Sequence, residues 1–492
     1  MPKLLNKRPI LFLAVALMVG IFVGGLIFGN LILSIIIPVA ILLCGIIFFL
    51  ISKKFLSLLV FLAMAVGVTG AIIDYNVKIT NIDRSAVISG RVEEIRNNKN
   101  VVLSDFTVDG VEYKGKILLK YNESEVGNRI TYYGKIKTID MDIFDTYVTS
   151  YYNDGIFYKS SLYNLYEVNS GALKLSEKIK NKFSNTISKY MEDSDVGVAK
   201  SLIFGDKSML SQEDNNLIRE AGVSHIFAVS GLHVGFLIAL FVFIMKKLRL
   251  NRYLQLFVII AAIIFYGILC GNPPGLKRAG IMSVVYLSGN LLCRKNDTLS
   301  TLSLSVLLIL LFKPFELFDL GFIMSVSAVF GIVLFYKPIY KFLSFKIKNK
   351  LYLTVAGSFA MTISANAFLL PISFNIFNSF ALYMLFTNLF VVPLTAITYS
   401  GLVLTFLLSL IFDGFGAIYF VLKYPLIAIR AICKVFAFLP FASVPLFALN
   451  AFTAVYLLCL ILISRFILIK PKYKAITVFT LIPISSIMFL LL

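Results

Sequence analysis

Long apolar runs, separated by short polar segments, make up the two end regions of the sequence. Many of these runs are about 20 residues long, the length that an α-helix needs to cross the hydrocarbon core of a bilayer. The first region predicts three spans, at 10–29, 31–51 and 55–73. The second region predicts ten spans, near 225–245, 253–270, 275–293, 298–313, 317–336, 351–371, 380–397, 398–412, 446–464 and 474–492. The pattern therefore predicts a polytopic α-helical membrane protein with about 13 spans.

A different pattern occupies the polar stretch between these two regions. From 84 to 166, apolar and polar residues alternate, and Asn, Gly and Asp separate the runs. This alternation predicts about five strands in a small β-barrel or sandwich. Apolar residues then recur every four positions in 171–192, which predicts an amphipathic helix on the membrane surface, and a second helical stretch follows at 196–221. The predicted domains are 1–73, 74–170, 171–224 and 225–492.

The net charge of +20 is distributed as expected for a membrane protein. Of the 46 basic residues, 20 lie in short loops that the predicted spans place on one side of the membrane. Because Lys and Arg are retained on the cytoplasmic side, we expect the N-terminus inside and residues 74–224 outside the bacterial cytoplasmic membrane. Segment 415–438 carries Lys423, Arg430 and Lys434 on one helical face, and we interpret it as interfacial because a span there would place 465–474 outside.

Composition and motifs argue against several other classes of protein. The mean hydropathy of +0.89 agrees with a membrane protein. The five cysteines lie in apolar runs without a C-x-x-C pair, which is typical of small core residues and not of a disulfide or zinc framework. The phosphate-loop-like segment 110–116 is followed by Ile117, where Ser or Thr would be required. We therefore expect neither a nucleotide motor nor a cofactor.

The only two histidines, His225 and His233, flank the pair Ser230 and Gly231. On an unbroken helix, positions eight apart are separated by about 12 Å of rise, too far for two imidazoles to share one metal ion. Ser230 and His233 have the i, i+3 spacing of a nucleophile and its base, although no orienting acid is evident. Polar helix packing is the simplest interpretation. An imidazole inside a span is nevertheless costly, which favours a position along a transport pathway.

Further polar residues lie at the outer ends of the predicted spans. Lys277 and Arg278 are expected outside, against the charge trend, where they either snorkel to the interface or attract an anion. Asp319 lies near the outer end of another span and could pair with one of them. Asn388 and Pro393 lie within apolar segments, and we expect such helix breaks only where protein or water covers the backbone. Broken helices with polar residues are typical of a channel or transporter interior.

The segment "LIFGDKSMLSQEDNNLIREAGVSHIFAVSGLHVGFL" (202–237) closely resembles the signature of the ComEC competence-protein family. The likeness continues, in family order, through "GNPPGLKRAGIM" (271–282), "DLGFIMSVSAVFGI" (319–332) and "NLFVVPL" (388–394). The resemblance implies a channel that imports single-stranded DNA in natural transformation. With the polar residues above, it gives these candidates for the pore or DNA path: His225, Ser230, Gly231, His233, Lys277, Arg278, Asp319 and Asn388.

The resemblance also implies that 84–166 is an external OB-like domain that handles nucleic acid. Such a domain binds bases by stacking, and the candidates here are Tyr113, Tyr121, Tyr132 and Tyr133. The 11 basic and 11 acidic residues of this stretch predict weak electrostatic capture of DNA.

Two departures from the family pattern affect the expected activity. Ile323-Met324-Ser325 stands where many members have Gln-Leu-Ser, so we expect a polar pore group to be missing here. No histidine follows His233, so we expect a form without the metallo-β-lactamase-like domain of many members. The implied partners are single-stranded DNA, the lipid bilayer, an external DNA receptor, a separate nuclease, a cytoplasmic translocation ATPase or single-strand-binding proteins, and further copies of the chain in a homo-oligomer. The alternatives are a transporter for another anionic polymer or solute, and an intramembrane hydrolase using Ser230 and His233.

Overall fold

The structure is a computed structural model that describes residues 8–27, 30–78, 80–96, 100–121, 124–170, 175–291, 297–345, 349–377 and 379–445. The chain divides into two compact units. The first, here the sheet unit, comprises Arg8–Lys178 and Ser303–Ile323. The second, here the helical unit, comprises Met1–Lys7, Ile179–Leu302 and Met324–Leu492.

The sheet unit begins with the three predicted apolar helices, α1 (Pro9–Ile27), α2 (Leu31–Ser52) and α3 (Phe55–Lys78). Helices α1 and α3 pack backbone to backbone through their glycines. A Cβ on Gly24 would lie only 2.8 Å from the carbonyl oxygen of Val68, so a larger residue would force the two helices apart. Gly20 and Gly24, four positions apart on α1, thus allow the close helix contact that small residues at this spacing favour.

A sheet follows these helices, as the alternating pattern predicts. Its strands are β1 (Asp83–Arg96), β2 (Asn100–Val108), β3 (Val111–Glu112), β4 (Lys116–Lys120), β5 (Arg129–Thr138) and β6 (Ile156–Asn169), with α4 (Thr146–Asn153) before β6. Strand β1 pairs antiparallel with both β2 and β5, and β5 pairs antiparallel with β6. Strand β4 pairs antiparallel with β2 and parallel with β6. The inward residues, among them Ile88, Leu103, Phe106 and Tyr158, are fully buried.

The remaining helices complete the described chain. They are α5 (Leu175–Ile187), α6 (Asp193–Phe204), α7 (Gln212–Glu220), α8 (Gly231–Lys247), α9 (Arg252–Leu269), α10 (Pro274–Leu291), α11 (Thr298–Phe312), α12 (Leu320–Leu343), α13 (Lys350–Phe377), α14 (Met384–Ser409) and α15 (Ile418–Ala437). A two-stranded sheet of β7 (Ser379–Ala381) and β8 (Ser443–Pro445) flanks the last two helices. Within the described residues, eight helices are long and apolar enough to cross a membrane, as fits a polytopic helical membrane protein.

Several predicted spans differ from the observed helices. The two spans predicted at 380–397 and 398–412 are wrong, because α14 is one continuous helix of 26 residues. Pro393 lies inside α14, so the predicted break there is absent as well. Within a membrane, neighbouring groups can compensate for the hydrogen bond that a proline removes. The spans predicted at 446–464 and 474–492 lie outside the described residues.

The first span predicted after the polar stretch begins later than expected. Instead of a helix over 225–245, the chain forms a short 3-10 turn, Ser224–Ile226, and α8 begins only at Gly231. Ser230 precedes α8 in an extended conformation, with φ −133° and ψ 179°, so the helix cannot extend backwards through it. The histidine segment is therefore divided between the 3-10 turn and α8, and the helix is shorter than the predicted span.

The amphipathic helix predicted over 171–192 is α5, which is shorter and is not simply a surface helix. Phe183 and Ile187 on its apolar face are fully buried in the core of the helical unit. The Phe183 ring lies edge-on to Phe204 and Phe406, with centroids 5.2 Å away in both cases. Protein side chains cover this part of the apolar face, and a position of α5 at the membrane surface stays a prediction.

Candidate functional site

His233 uses both ring nitrogens to join two helices. The imidazole is fully buried at the third position of α8. Its Nε2 lies 2.9 Å from the carbonyl oxygen of Leu202, and its Nδ1 lies 3.2 Å from the backbone nitrogen of Ser230. Because a carbonyl accepts and the backbone N–H donates, the proton must be on Nε2. His233 thus takes the position that Glu or Gln occupies in a capping box.

The C-terminal end of α6 is held by side chains from two other helices. The carbonyl oxygen of Leu202 accepts a hydrogen bond from His233 Nε2 on α8, and the hydroxyl of Tyr266 on α9 donates to the carbonyl oxygen of Ile203 at 2.5 Å. Gly205 follows with a φ of +70°, and a Cβ there would lie 2.7 Å from Val229 Cγ2. The free carbonyls of a helix end are thereby satisfied inside an apolar unit. These contacts explain why the segment 202–237 combines a helix end, a glycine and Ser-Gly-Leu-His.

The predicted partners of His233 occupy different environments. His225 lies exposed in the 3-10 turn, whereas His233 is fully buried. Ser230 Oγ lies 3.3 Å from His233 Nδ1, but the same nitrogen accepts the Ser230 backbone N–H. Gly231 begins α8, where an added Cβ would lie 3.5 Å from the Cβ of Ala279, at van der Waals contact with α10. Ser230, Gly231 and His233 therefore form a helix junction, and exposed His225 lies apart from it in the 3-10 turn.

The two outer basic residues differ in burial. Arg278 on α10 is only 4% exposed, whereas its neighbour Lys277 is half-buried. Snorkelling to the interface therefore does not describe Arg278, because its side chain lies inside the helical unit. Asp319 belongs to the sheet unit, where its carboxylate caps α12 by accepting the backbone N–H of Phe322 at 2.9 Å. A pairing of Asp319 with the basic residues stays a prediction.

Helix α14 carries a stripe of buried polar side chains. Asn388 and Thr395 are buried, seven residues apart and so on one helical face. Asn388 Oδ1 and Thr395 Oγ1 have no hydrogen-bond partner among the described residues. By contrast, the Thr387 and Thr398 hydroxyls donate to the backbone of their own helix, to Tyr383 at 3.1 Å and to Leu394 at 2.7 Å. Two of the buried oxygens on this stripe thus remain available to a polar group that enters the helical unit.

A buried ionic cluster was not predicted from the sequence. Arg430 on α15 lies 3.1 Å from a carboxylate oxygen of Asp195 and 3.2 Å from one of Asp214, and both acids are almost fully buried. The Ser211 hydroxyl lies 2.8 Å from Asp214 and donates to it. The sequence does contain a signal for this cluster. The two acids lie in the first turns of α6 and α7, and Arg430 lies on the basic face of α15.

The same cluster changes the interpretation of segment 415–438. Lys423 Nζ lies 3.0 Å from Glu192, and this hydrogen bond lowers the pKa of the Glu192 carboxyl. The basic face of α15 thus packs against acidic side chains of the protein. Since α15 lies within a helix that is long and apolar enough to cross a membrane, its charges no longer favour an interfacial position.

The four candidate stacking tyrosines are not equivalent. Tyr132 is fully buried, so its assignment to base stacking is wrong: the alternation of β5 turns it inward. Tyr133 faces outward, and its ring centroid lies 6.2 Å from that of Tyr163 on β6. Tyr113 stacks on Phe106 with ring planes 9° apart, and Tyr121 is half-buried after β4. Tyr163 and Tyr166 on β6, which the sequence analysis missed, are 55% and 59% exposed.

Comparison of the sequence with known proteins identifies the family of this chain. A family model described as competence protein matches residues 202–471, which is more than half of the chain. "ComE operon protein 3" of Bacillus subtilis (strain 168) is 29% identical over 225 residues, covering 46% of this chain and 28% of the relative. The match therefore spans less than a third of that relative's length. No solved structure matches the chain. The chain belongs to the competence-protein (ComEC) family.

Proposed function

We propose that this protein forms a channel that passes single-stranded DNA inward across the cytoplasmic membrane during natural transformation. The observation that carries the proposal is the family match over 202–471, which includes both the histidine junction and the polar stripe of α14. Buried polar groups are rare in membrane helices and are expected where a polar substrate or water passes. Asn388 Oδ1 and Thr395 Oγ1 are such groups, and a phosphodiester chain with its water would hydrate them.

Arg278 is the residue best suited to contact phosphate along this path. Its guanidinium can bind a phosphate with two parallel hydrogen bonds, which a lysine cannot do. Its burial on α10 supports a contact inside the unit and not at the outer surface. In this proposal His233, Ser230 and Gly231 position the helices around the path, while His225, Lys277, Arg278 and Asn388 lie along it.

The sheet of the first unit is proposed to be a closed, OB-like barrel that handles DNA outside the membrane. Support comes from the strand pairings, since β1, β5, β6, β4 and β2 pair in that order and β2 pairs in turn with β1. Tyr163 and Tyr166 are exposed aromatic rings, and half-buried Tyr133 lies beside Tyr163, so bases can stack on this set. We place this domain at 74–170, the linker at 171–224 and the channel at 225–492. The number of spans stays at about 13, because α14 now counts once and α15 is included.

The location and the partners form the last part of the proposal. We propose a multi-pass protein of the cytoplasmic membrane with the N-terminus inside. Single-stranded DNA must be delivered to it and drawn away from it, because a channel supplies no driving force of its own. An external receptor and a separate nuclease would deliver the strand, and a cytoplasmic ATPase or single-strand-binding proteins would draw it inward.

The proposal is tested by deleting the gene and measuring uptake of labelled, genetically marked DNA. We expect DNA to remain bound at the cell surface but not to become resistant to external nuclease, and a plasmid copy to restore uptake. An Asn388→Leu copy should restore less than the wild type at equal membrane levels, because it places an apolar side chain at the path. A control, Ile397→Leu, changes an exposed apolar position of the same helix. Unchanged uptake in the deletion strain would contradict a DNA channel and favour another anionic polymer or solute.

A further inference from the structure

An apolar cavity of about 190 Å³ lies in the helical unit, among α5, α6, α8, α9 and α14. Its walls include Phe183, Phe204, Phe241, Ala262 and Phe406. Tyr266 also lines it, but its hydroxyl is bound to the backbone of Ile203, so the ring and not the polar group faces the cavity. The lining therefore offers almost no hydrogen-bonding group to water.

The shape and lining of the cavity favour an apolar ligand. A cavity of about 150 Å³ with a comparable lining stays dry in a soluble protein and binds small apolar molecules. In a membrane protein, the abundant ligand of this kind is the acyl chain of a lipid. The volume suits a segment of one chain and not a whole lipid, so the headgroup must lie outside the cavity.

A single charged residue, Lys182, marks where that headgroup would lie. Lys182 is exposed and its neighbour Phe183 is fully buried, yet both line the cavity. The cavity therefore extends from the core of the unit to its surface, and it reaches the surface beside an ammonium group. Basic residues on the polar face of an amphipathic helix attract anionic lipid headgroups.

We propose that the helical unit binds one anionic phospholipid, with an acyl chain in the cavity and the phosphate at Lys182. The bound chain would pack α5 against α8, α9 and α14, where Phe183 already contacts Phe406. The lipid is thus a structural ligand that ties the segment following the sheet unit to the membrane helices. This inference does not depend on what the protein transports.

The test uses the full chain, purified in detergent and mixed with dioleoyl phosphatidylglycerol or dioleoyl phosphatidylcholine, with bound lipid counted by native mass spectrometry. We expect one phosphatidylglycerol to be retained per chain, in preference to phosphatidylcholine. Ala262→Phe should reduce retention about tenfold or more, because an added ring fills the cavity. Ala261→Phe is the matched control, since Ala261 is the exposed neighbour on the same helix.

A second pair of variants tests the contact with the headgroup independently of the binding of the acyl chain in the cavity. Lys182→Gln should abolish the preference for phosphatidylglycerol, while the exposed Lys189→Gln, a few residues further along, should keep it. These surface changes leave the core intact, so the comparison holds even if Ala262→Phe fails to fold. If the wild type retained no lipid, the proposal would be overturned. This result is expected if another apolar segment occupied the cavity. Equal retention of both lipids by the wild type would overturn the assignment of an anionic headgroup.

Discussion

Both ring nitrogens of the buried His233 imidazole are hydrogen-bonded to backbone atoms, which favours a structural role for this residue. His233 bonds Leu202 through Nε2 and Ser230 through Nδ1, so neither nitrogen is free to carry a proton between reactants. Its ring also lies edge-on to Tyr399, with centroids 5.4 Å apart. A hydrolase would need the Nδ1 lone pair for the Ser230 hydroxyl, which must compete with the backbone N–H. At the residue scale, the geometry favours a helix junction over a catalytic pair.

Two substitutions distinguish these roles. Ser230→Ala removes a capping side chain and should cost about 1 kcal/mol of stability, leaving DNA uptake largely intact. His233→Ala leaves the buried Leu202 carbonyl without this partner, at about 1–3 kcal/mol, and the partly buried Ser230 N–H as well, and it should lower the amount of folded protein. Membrane levels, thermal unfolding in detergent and transformation frequency check both outcomes. Loss of activity in Ser230→Ala at normal protein levels would instead support the hydrolase.

The buried guanidinium of Arg278 gives a second prediction at this scale. Arg278→Ala should reduce DNA uptake about tenfold, because a charge-assisted phosphate contact is lost. Arg278→Lys should restore only part of the uptake, since lysine retains the charge but not the bidentate geometry. The control is Arg252→Ala, an exposed cation at the start of α9. Equal uptake by Arg278→Ala and the wild type, at equal membrane levels, would remove Arg278 from the path.

At the scale of elements, ion pairing decides where α15 packs. Its 20 residues form an apolar helix with a basic face, and that face meets the N-terminal turns of α6 and α7. The acids there also interact favourably with the helix dipoles. Sequence periodicity predicts the basic face, but it cannot tell whether water, lipid headgroups or acidic side chains cover it. The partners lie 235 and 216 positions away in the chain, far beyond any local pattern.

This pairing predicts a strong effect of one substitution on α15. Arg430→Ala would leave Asp195 and Asp214 buried without their shared cation, which should destabilise the helical unit by about 3 kcal/mol. Lys434→Ala, on the same helix but exposed, should change stability by no more than about 0.5 kcal/mol. Thermal unfolding of the purified variants in detergent measures both. Similar midpoints for the two variants would show that the cluster contributes little.

At the scale of the whole molecule, local periodicity predicted the kind and order of the elements. The three initial helices and the sheet after them follow directly from runs of about 20 apolar residues and from alternation. The lengths of the helices were predicted less well. Helix α14 has 26 residues and is about 39 Å long, and the hydropathy pattern alone divided it into two spans. Contacts between distant segments, such as the parallel pairing of β4 with β6, depend on packing that no local pattern encodes.

The orientation of the chain is the remaining prediction at this scale. Three apolar helices precede the sheet, and the basic excess of the short loops is expected inside, so residues 74–224 should face outward. In a background without the native cysteines, Glu112→Cys on the exposed strand β3 should react with an impermeant thiol reagent in intact cells. Lys54→Cys, exposed between α2 and α3, is the matched control and should react only after lysis. The opposite labelling pattern would invert the topology and place the sheet, with its outward-facing tyrosines, in the cytoplasm, where it could not receive incoming DNA before the membrane step.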